Sequence, residues 1–204
     1  MLRSLSVLFL PLLFVGQNTK EDIKPYDDGE AYNVYSAVLE VEKSKGELLI
    51  DDTTIPFKHC LEPHSDKPVD AAIKNYKHTN QTRWRLQHKF NSKQNYRLVS
   101  SEEIERLQQP DPQGGFFWRF PEGVMIRHFS AVGFNRDKTL AFVETDLVCG
   151  GQCGRGQPYV LQRRDGKWQE YEGKAPKVVK RKKTSDGVYE VTMKSFVGYC
   201  GWAY

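Results

Sequence analysis

The hydrophobic period changes once along this chain, and that change constrains its fold more than any other feature. In the first half, apolar residues recur at helical spacing: Ala31, Val34, Tyr35, Val38 and Leu39 fall at i, i+3, i+4, i+7 and i+8. They follow Asp27-Asp28-Gly29-Glu30, which has the form of a capping box. The spacing predicts an amphipathic helix of about four turns that stops at Gly46, then a short strand from Glu47 to Ile50 leading into the polar Asp51-Asp52-Thr53-Thr54. A second helix is predicted from Val69, Ala72, Ile73 and Tyr76 behind Pro68, a residue that suits the first helical turn. Tyr96 to Val99 reads as a strand running into a second capping box, Ser100-Ser101-Glu102-Glu103, with Ile104 and Leu107 on one face of a short helix.

The clearest break is Gln108 to Gly115, which holds Pro110, Pro112 and paired glycines. It separates a helix-rich α/β subregion, residues 18–112, from a β subregion, residues 113–204. Beyond it the period is two. Ile126, His128, Ser130, Val132 and Phe134 alternate with Arg127, Phe129, Ala131 and Gly133, and Thr139 to Val148 returns as a strand after Asn135-Arg136-Asp137-Lys138. Closing that hairpin with Phe134 opposite Thr139 sets His128 opposite Thr145. A second hairpin joins Pro158–Arg163 to Lys167–Tyr171 through Arg164-Asp165-Gly166, and a third joins Val178-Val179 to Val188–Met193 through Ser185-Asp186-Gly187. The expected class is α+β: an N-terminal helix-rich half packed on a C-terminal antiparallel β-meander, the helices covering one face. At 204 residues the two subregions are expected to share one compact domain.

Met1-Leu2-Arg3 followed by the apolar run Leu5–Val15 reads as a secretory signal peptide over residues 1–17. The run is shorter than the roughly 20 residues a membrane-spanning helix needs, so the mature protein is expected to be secreted or periplasmic, with no integral membrane segment. Export turns the four cysteines into candidates for two disulfides, for which three connectivities exist. Cys149 and Cys153 flank Gly150-Gly151-Gln152, where glycines permit a very tight loop, and a local bridge there is favoured. That leaves Cys60 with Cys200, a closure that restricts the unfolded chain by about 4 to 5 kcal/mol in the loop-entropy account. Two alternatives are a zinc site around His59, Cys60 and His64, which lacks paired Cys-x-x-Cys spacing, and thiol-redox chemistry at Cys149 and Cys153. Neither a metal nor a cofactor is expected.

The stretch Phe129-Ser130-Ala131-Val132-Gly133-Phe134-Asn135, then Cys149-Gly150-Gly151, Cys153-Gly154 and Asp165-Gly166-Lys167-Trp168, resembles a pattern in an uncharacterised family of exported bacterial proteins. The resemblance covers about 50 residues, one two-hairpin unit. It implies a fold and a compartment. It carries over no catalytic residues, because glycines, aromatics and turn residues explain hairpin geometry without chemistry.

Candidate chemistry is sparse. Glu144 and Asp146, two apart on a strand, place two carboxylates on one face about 7 Å apart, a pair usable for glycoside hydrolysis or, more commonly, the solvent face of a strand. His128 with Ser130 is a candidate hydrolase pair, but no Gly-x-Ser-x-Gly elbow accompanies it. Trp118, among several aromatics, could form part of a ligand platform. Asn80-Gln81-Thr82 matches a glycosylation acceptor. The net charge of +4 is mild and Lys180–Lys183 is the densest basic run, so an edge strand guarded by lysines is expected there and no nucleic acid is expected as a partner. The reading that follows is a non-enzymatic accessory or binding domain with an envelope or extracellular ligand. An envelope hydrolase using Glu144, Asp146 or His128 is the alternative.

Overall fold

The computed structural model describes residues 22–41, 48–57, 67–110, 118–150, 153–171, 177–183 and 189–194. The expected signal segment, His59, Cys60, His64 and Cys200 lie outside the described residues, as do the side chains of Trp118 and Cys153. Three helices are present among those residues: α1 (Gly29–Val41), α2 (Lys67–Thr79) and α3 (Ser101–Leu107). The strands are β1 (Leu48–Asp51), β2 (Tyr96–Val99), β3 (Gln109–Pro110), β4 (Trp118–Arg119), β5 (Ile126–Phe129), β6 (Gly133–Phe134), β7 (Leu140–Gly150), β8 (Cys153–Arg164), β9 (Lys167–Glu170), β10 (Lys177–Lys183) and β11 (Tyr189–Lys194). Among the described residues, no helix is long and apolar enough to cross a membrane.

Local signals in the sequence account for the helix starts. Asp28 Oδ1 accepts from Glu30 N at 3.0 Å ahead of α1, and the Ser100 side chain accepts from Glu103 N at 3.2 Å at the start of α3. Val69, Ala72, Ile73 and Tyr76 of α2 are all buried, as their spacing requires.

The class is α+β, and the sheet is mixed. Strands β5 and β6 lie antiparallel to β7, which continues antiparallel into β8 and β9. On the other side, β1 pairs parallel with both β2 and β5, so strands from before and after residue 112 share one sheet. The expected division into a helical half and a separate meander therefore does not describe this sheet. Parallel pairing needs a crossover, and the crossover from β1 to β2 carries α2. Strands β10 and β11 form their own antiparallel pair, as the Ser185-Asp186-Gly187 turn predicts. The tighter turn at Asp165-Gly166 has both residues at positive φ, 51° and 75°, and it closes β8 on β9 with Arg164 opposite Lys167.

The helices cover both faces of the sheet rather than the single face expected. Along β7, Ala141 and Val143 pack with Tyr32, Tyr35, Val38 and Leu39 of α1, whereas Leu140 and Phe142 pack with Val69, Ile73 and Tyr76 of α2. Ile104 and Leu107 of α3 join Leu49, Val99 and Ile126 on the α2 face. The α1 face is rich in tyrosine, and each tyrosine tip finds a partner. Tyr32 Oη donates to Tyr26 O at 2.9 Å, and Tyr35 Oη donates to Ser130 O at 2.7 Å. Burial pushes the Tyr26 hydroxyl up to about 12.

The first hairpin differs from expectation in register. Phe134 pairs with Ala141 rather than Thr139, because Asn135 folds a longer turn: its Oδ1 accepts from Thr139 N and Leu140 N at 2.9 and 2.8 Å. Farther along, Ser130, Ala131 and Val132 stand opposite only Val143 and Glu144, a one-residue bulge between β5 and β6. The two shifts together set His128 opposite Asp146, not Thr145.

Gly133 is where α2 approaches the sheet most closely. A Cβ there would fall inside contact distance of Ala72 O and of the Tyr76 backbone nitrogen and Cβ. Backbone cannot yield as a flexible side chain can, so Gly133→Ala is expected to lower stability by about 3 kcal/mol, measured as a reduced urea midpoint at unchanged m-value.

Candidate functional site

The sequence-predicted polar residues gather on the α2 face of the sheet. Glu144 and Asp146 both follow the parity of Phe142, and His128 faces Asp146 from β5. Neither carboxylate lies on a solvent face, since Glu144 is 1% exposed and Asp146 7%. Glu144 Oε2 accepts from Tyr76 Oη at 2.6 Å, Tyr76 Oη accepts from Asn80 Nδ2 at 2.8 Å, and Asn80 Oδ1 accepts from Ala131 N at 3.2 Å. This chain runs from the strand through the end of α2 and back to the bulge. It also occupies Asn80, so the residue of the glycosylation-like triplet is buried and turned inward.

Ser130 cannot act as a nucleophile for His128. It is fully buried, its Oγ accepts from Glu144 N at 2.8 Å, and its proton goes to Ala131 O at 2.9 Å. His128 Nδ1 lies 3.5 Å from Asp146 Oδ1, and neither ring nitrogen makes a hydrogen bond with another described residue. Burial holds the His128 pKa below its ordinary value, outweighing the attraction of Asp146, and the Arg127 charge lowers it further. Arg127 itself is buried on the opposite face, where its Nη1 donates to Thr145 Oγ1 at 3.0 Å. Cys149 is disulfide-bonded, and its neighbour Gly150 pairs with Cys153 across the β7–β8 turn. Of Trp118, the backbone pairs with Pro110.

A second polar region was not singled out by the sequence. Beyond the carboxyl ends of the parallel strands β1 and β2 lies a partly open cavity of about 400 Å³, lined by Ile23, Asp52, Thr53, Arg83, Arg85 and Glu102, with Ser100 and Ser101 at its edge. Ligands of open sheets with parallel strands characteristically bind beyond these ends. An extended segment fixes the two arginines. Thr54 N donates to Trp84 O and Leu86 N to Asp52 O at 2.8 and 2.7 Å on one side, while Arg85 N donates to Lys24 O at 2.8 Å on the other. Strand alternation then buries Leu86 and packs Trp84 on the α1-face core, leaving Arg83 and Arg85 to line the cavity.

Both guanidinium groups are aimed by neighbours. Arg85 Nη1 reaches Asp52 Oδ2 at 2.6 Å, and Arg83 Nη2 donates to Thr53 Oγ1 at 2.7 Å. Thr53 in turn donates from its backbone N and its Oγ1 to Asp51 Oδ1 at 2.9 and 3.0 Å. Burial raises the pKa of Asp51, opposed by those two bonds and by both arginines. Asp52 is raised as well, by burial first and then by the nearby Asp51 and Glu102 charges, with Arg85 opposing. Comparison of the chain with protein-family models, curated proteins and solved structures gave no match.

Two outcomes are expected for the buried polar chain. Tyr76→Phe removes the hydroxyl between Glu144 and Asn80 and is expected to lower stability by about 2 kcal/mol, read from urea unfolding. For His128, the folded-state pKa lies below the unfolded value near 6.5, so the unfolded chain takes up the proton first. Stability is therefore full above the unfolded pKa and lost as pH falls below it toward the folded pKa. His128→Asn is expected to flatten the fall in urea midpoint between about pH 6.5 and pH 5.

Proposed function

We propose that the chain is a secreted or periplasmic accessory or binding domain, stapled by a Cys149–Cys153 bridge and a Cys60–Cys200 bridge, and not an enzyme built on Glu144, Asp146 or His128. The observation that carries this reading is the Glu144 carboxylate, 1% exposed and held by Tyr76 Oη at 2.6 Å. A general acid or base must touch the proton it moves, and a carboxyl enclosed beneath α2 meets no substrate. Ser130, the one hydroxyl beside His128 in sequence, has its hydrogen-bonding capacity taken up by Ala131 O and Glu144 N. By contrast, the charged groups around the cavity line an accessible volume, in the range that small-molecule sites occupy.

Export rests on the apolar leader and on the resemblance to exported bacterial proteins, and it agrees with the bonded state of Cys149. The antiparallel run from β5 to β9 acts as the rigid frame in this reading. The β7–β8 pairing, with Gly150 opposite Cys153, brings the ends of the two cysteine-bearing strands together and so supports a local bridge.

Two measurements test the proposal. Intact mass of the exported protein, denatured and alkylated, is expected to show no adduct before reduction and four after it, matching the four cysteines. A peptide map is expected to join Cys149 to Cys153. Free thiols in the exported protein would overturn the stapled-domain reading. A panel of glycan, ester and peptide substrates is expected to show no turnover that depends on Glu144, Asp146 or His128. Turnover abolished by Glu144→Gln, Asp146→Asn or His128→Asn would make the protein an enzyme.

A further inference from the structure

We propose that the cavity beyond β1 and β2 binds a small zwitterion, a molecule of amino-acid size bearing one carboxylate and one ammonium group. This rests on the binding-domain reading and names the ligand class of its site. The lining holds charge of both signs: Arg83 and Arg85 on one segment, Asp52 and Glu102 on two others. A site for a simple anion would be weakened by those carboxylates, and a site for a simple cation by the arginines. A zwitterion offers each sign its complement while the neutral total limits the cost of desolvation.

The two arginines are held by different kinds of partner. Arg85 is engaged by Asp52 at 2.6 Å, whereas Arg83 donates to the neutral Thr53 Oγ1 at 2.7 Å through one of its two terminal nitrogens. Thr53 is itself locked by Asp51, which is 4% exposed. A buried carboxylate thus orients a threonine, and the threonine holds the guanidinium of a residue that lines the cavity. A planar fork held in this way matches a carboxylate. Asp52 and Glu102 both line the cavity, and their negative charge favours an ammonium group on that side of it. Ile23 provides the apolar contribution among the residues named, which suits a ligand with a short or polar side chain. The volume of about 400 Å³ admits an amino acid or a dipeptide.

Calorimetric titration of the full exported protein with glycine, L-serine, L-glutamate and glycylglycine tests this directly. At least one is expected to give saturable heat with one site per chain. N-acetyl-L-serine, without the ammonium, and L-serinamide, without the carboxylate, are expected to bind about tenfold or more weakly than serine, the scale of one charge-assisted hydrogen bond. Arg83→Gln, at an exposed position, is expected to weaken binding by about tenfold or more with an unchanged urea midpoint. Glu102→Gln is expected to weaken serine but not N-acetylserine. Thr53→Val is expected to weaken serine while Arg83 remains present, as befits a positioning residue. The proposal is overturned if none of the four ligands gives saturable heat, if N-acetylserine binds as tightly as serine, or if Arg83→Gln binds as wild type does. Any of these results, with substrate turnover still absent, removes the ligand class and leaves the binding-domain reading in place. Turnover that depends on Glu144, Asp146 or His128 would remove that reading whatever the titrations show.

Discussion

The bulge at Ser130–Val132 is the constraint on which the rest of the structure depends. Three residues opposite two leave backbone groups in the middle of a buried sheet without ladder partners, a cost of about 1 to 3 kcal/mol for each group left unpaired. Side chains from three places meet that demand. Tyr35 of α1 donates to Ser130 O, Asn80 beyond α2 accepts from Ala131 N, and Tyr26 accepts from Val132 N at 3.1 Å. Thr79 adds a donor to Val132 O at 3.3 Å, and the Ser130 hydroxyl substitutes for a carbonyl in accepting Glu144 N. Both helical layers are thereby pinned to one irregularity in the sheet. Its consequence for the site is direct, because the bulge and the longer Asn135 turn together set His128 opposite Asp146, with Glu144 beneath Tyr76.

The same geometry separates two kinds of polar residue. Around the bulge, donors and acceptors close on each other in a buried chain, and removing a member leaves the next one unsatisfied. Around Arg83 and Arg85 the network is closed on the protein side and open on the other. The segment from Arg83 to Leu86 is hydrogen-bonded to both the Lys24–Tyr26 stretch and the Asp52–Thr54 stretch, so its alternation is rigid. Arginine carries a large rotamer entropy, and anchoring on Thr53 and Asp52 reduces what a ligand would have to order.

Much of the fold is legible in the sequence wherever the signal is local. Helix α2 is read from four apolar residues behind Pro68, the start of α3 from a capping box, and the β8–β9 hairpin from Asp165-Gly166. The motif residue Trp168 has a packing explanation, resting on Phe134 with ring centroids 5.8 Å apart and donating Nε1 to Glu30 Oε2 at 2.9 Å. What fails is non-local. The parallel pairing of β1 with β2 and β5 joins residues far apart in the chain, and no turn announces it. Alternation alone cannot reveal a bulge, since Ser130 to Val132 reads as continuous strand until its neighbours are known. The expected cross-strand partner of His128 was off by one residue, because the longer Asn135 turn shifts the register by two and the bulge takes one back, and two carboxylates that fit an exposed face proved to be buried.

The cavity was invisible for the same reason. Asp51-Asp52-Thr53-Thr54 reads as a polar strand end and Arg83-Trp84-Arg85 as part of a polar segment, and neither has motif spacing. They become a site only because β1 and β2 run parallel, so that both carboxyl ends open on the same side and the arginine segment crosses beside them. The carboxylates that looked chemical were those with familiar spacing on one strand, and the fold encloses both Glu144 and Asp146 in its interior. Ile23, Asp52, Arg83 and Glu102 meet there because the topology brings their separate segments together. A mixed charge set at that position suits the proposed zwitterion, since a partner carrying both charges meets it with the least desolvation of either sign.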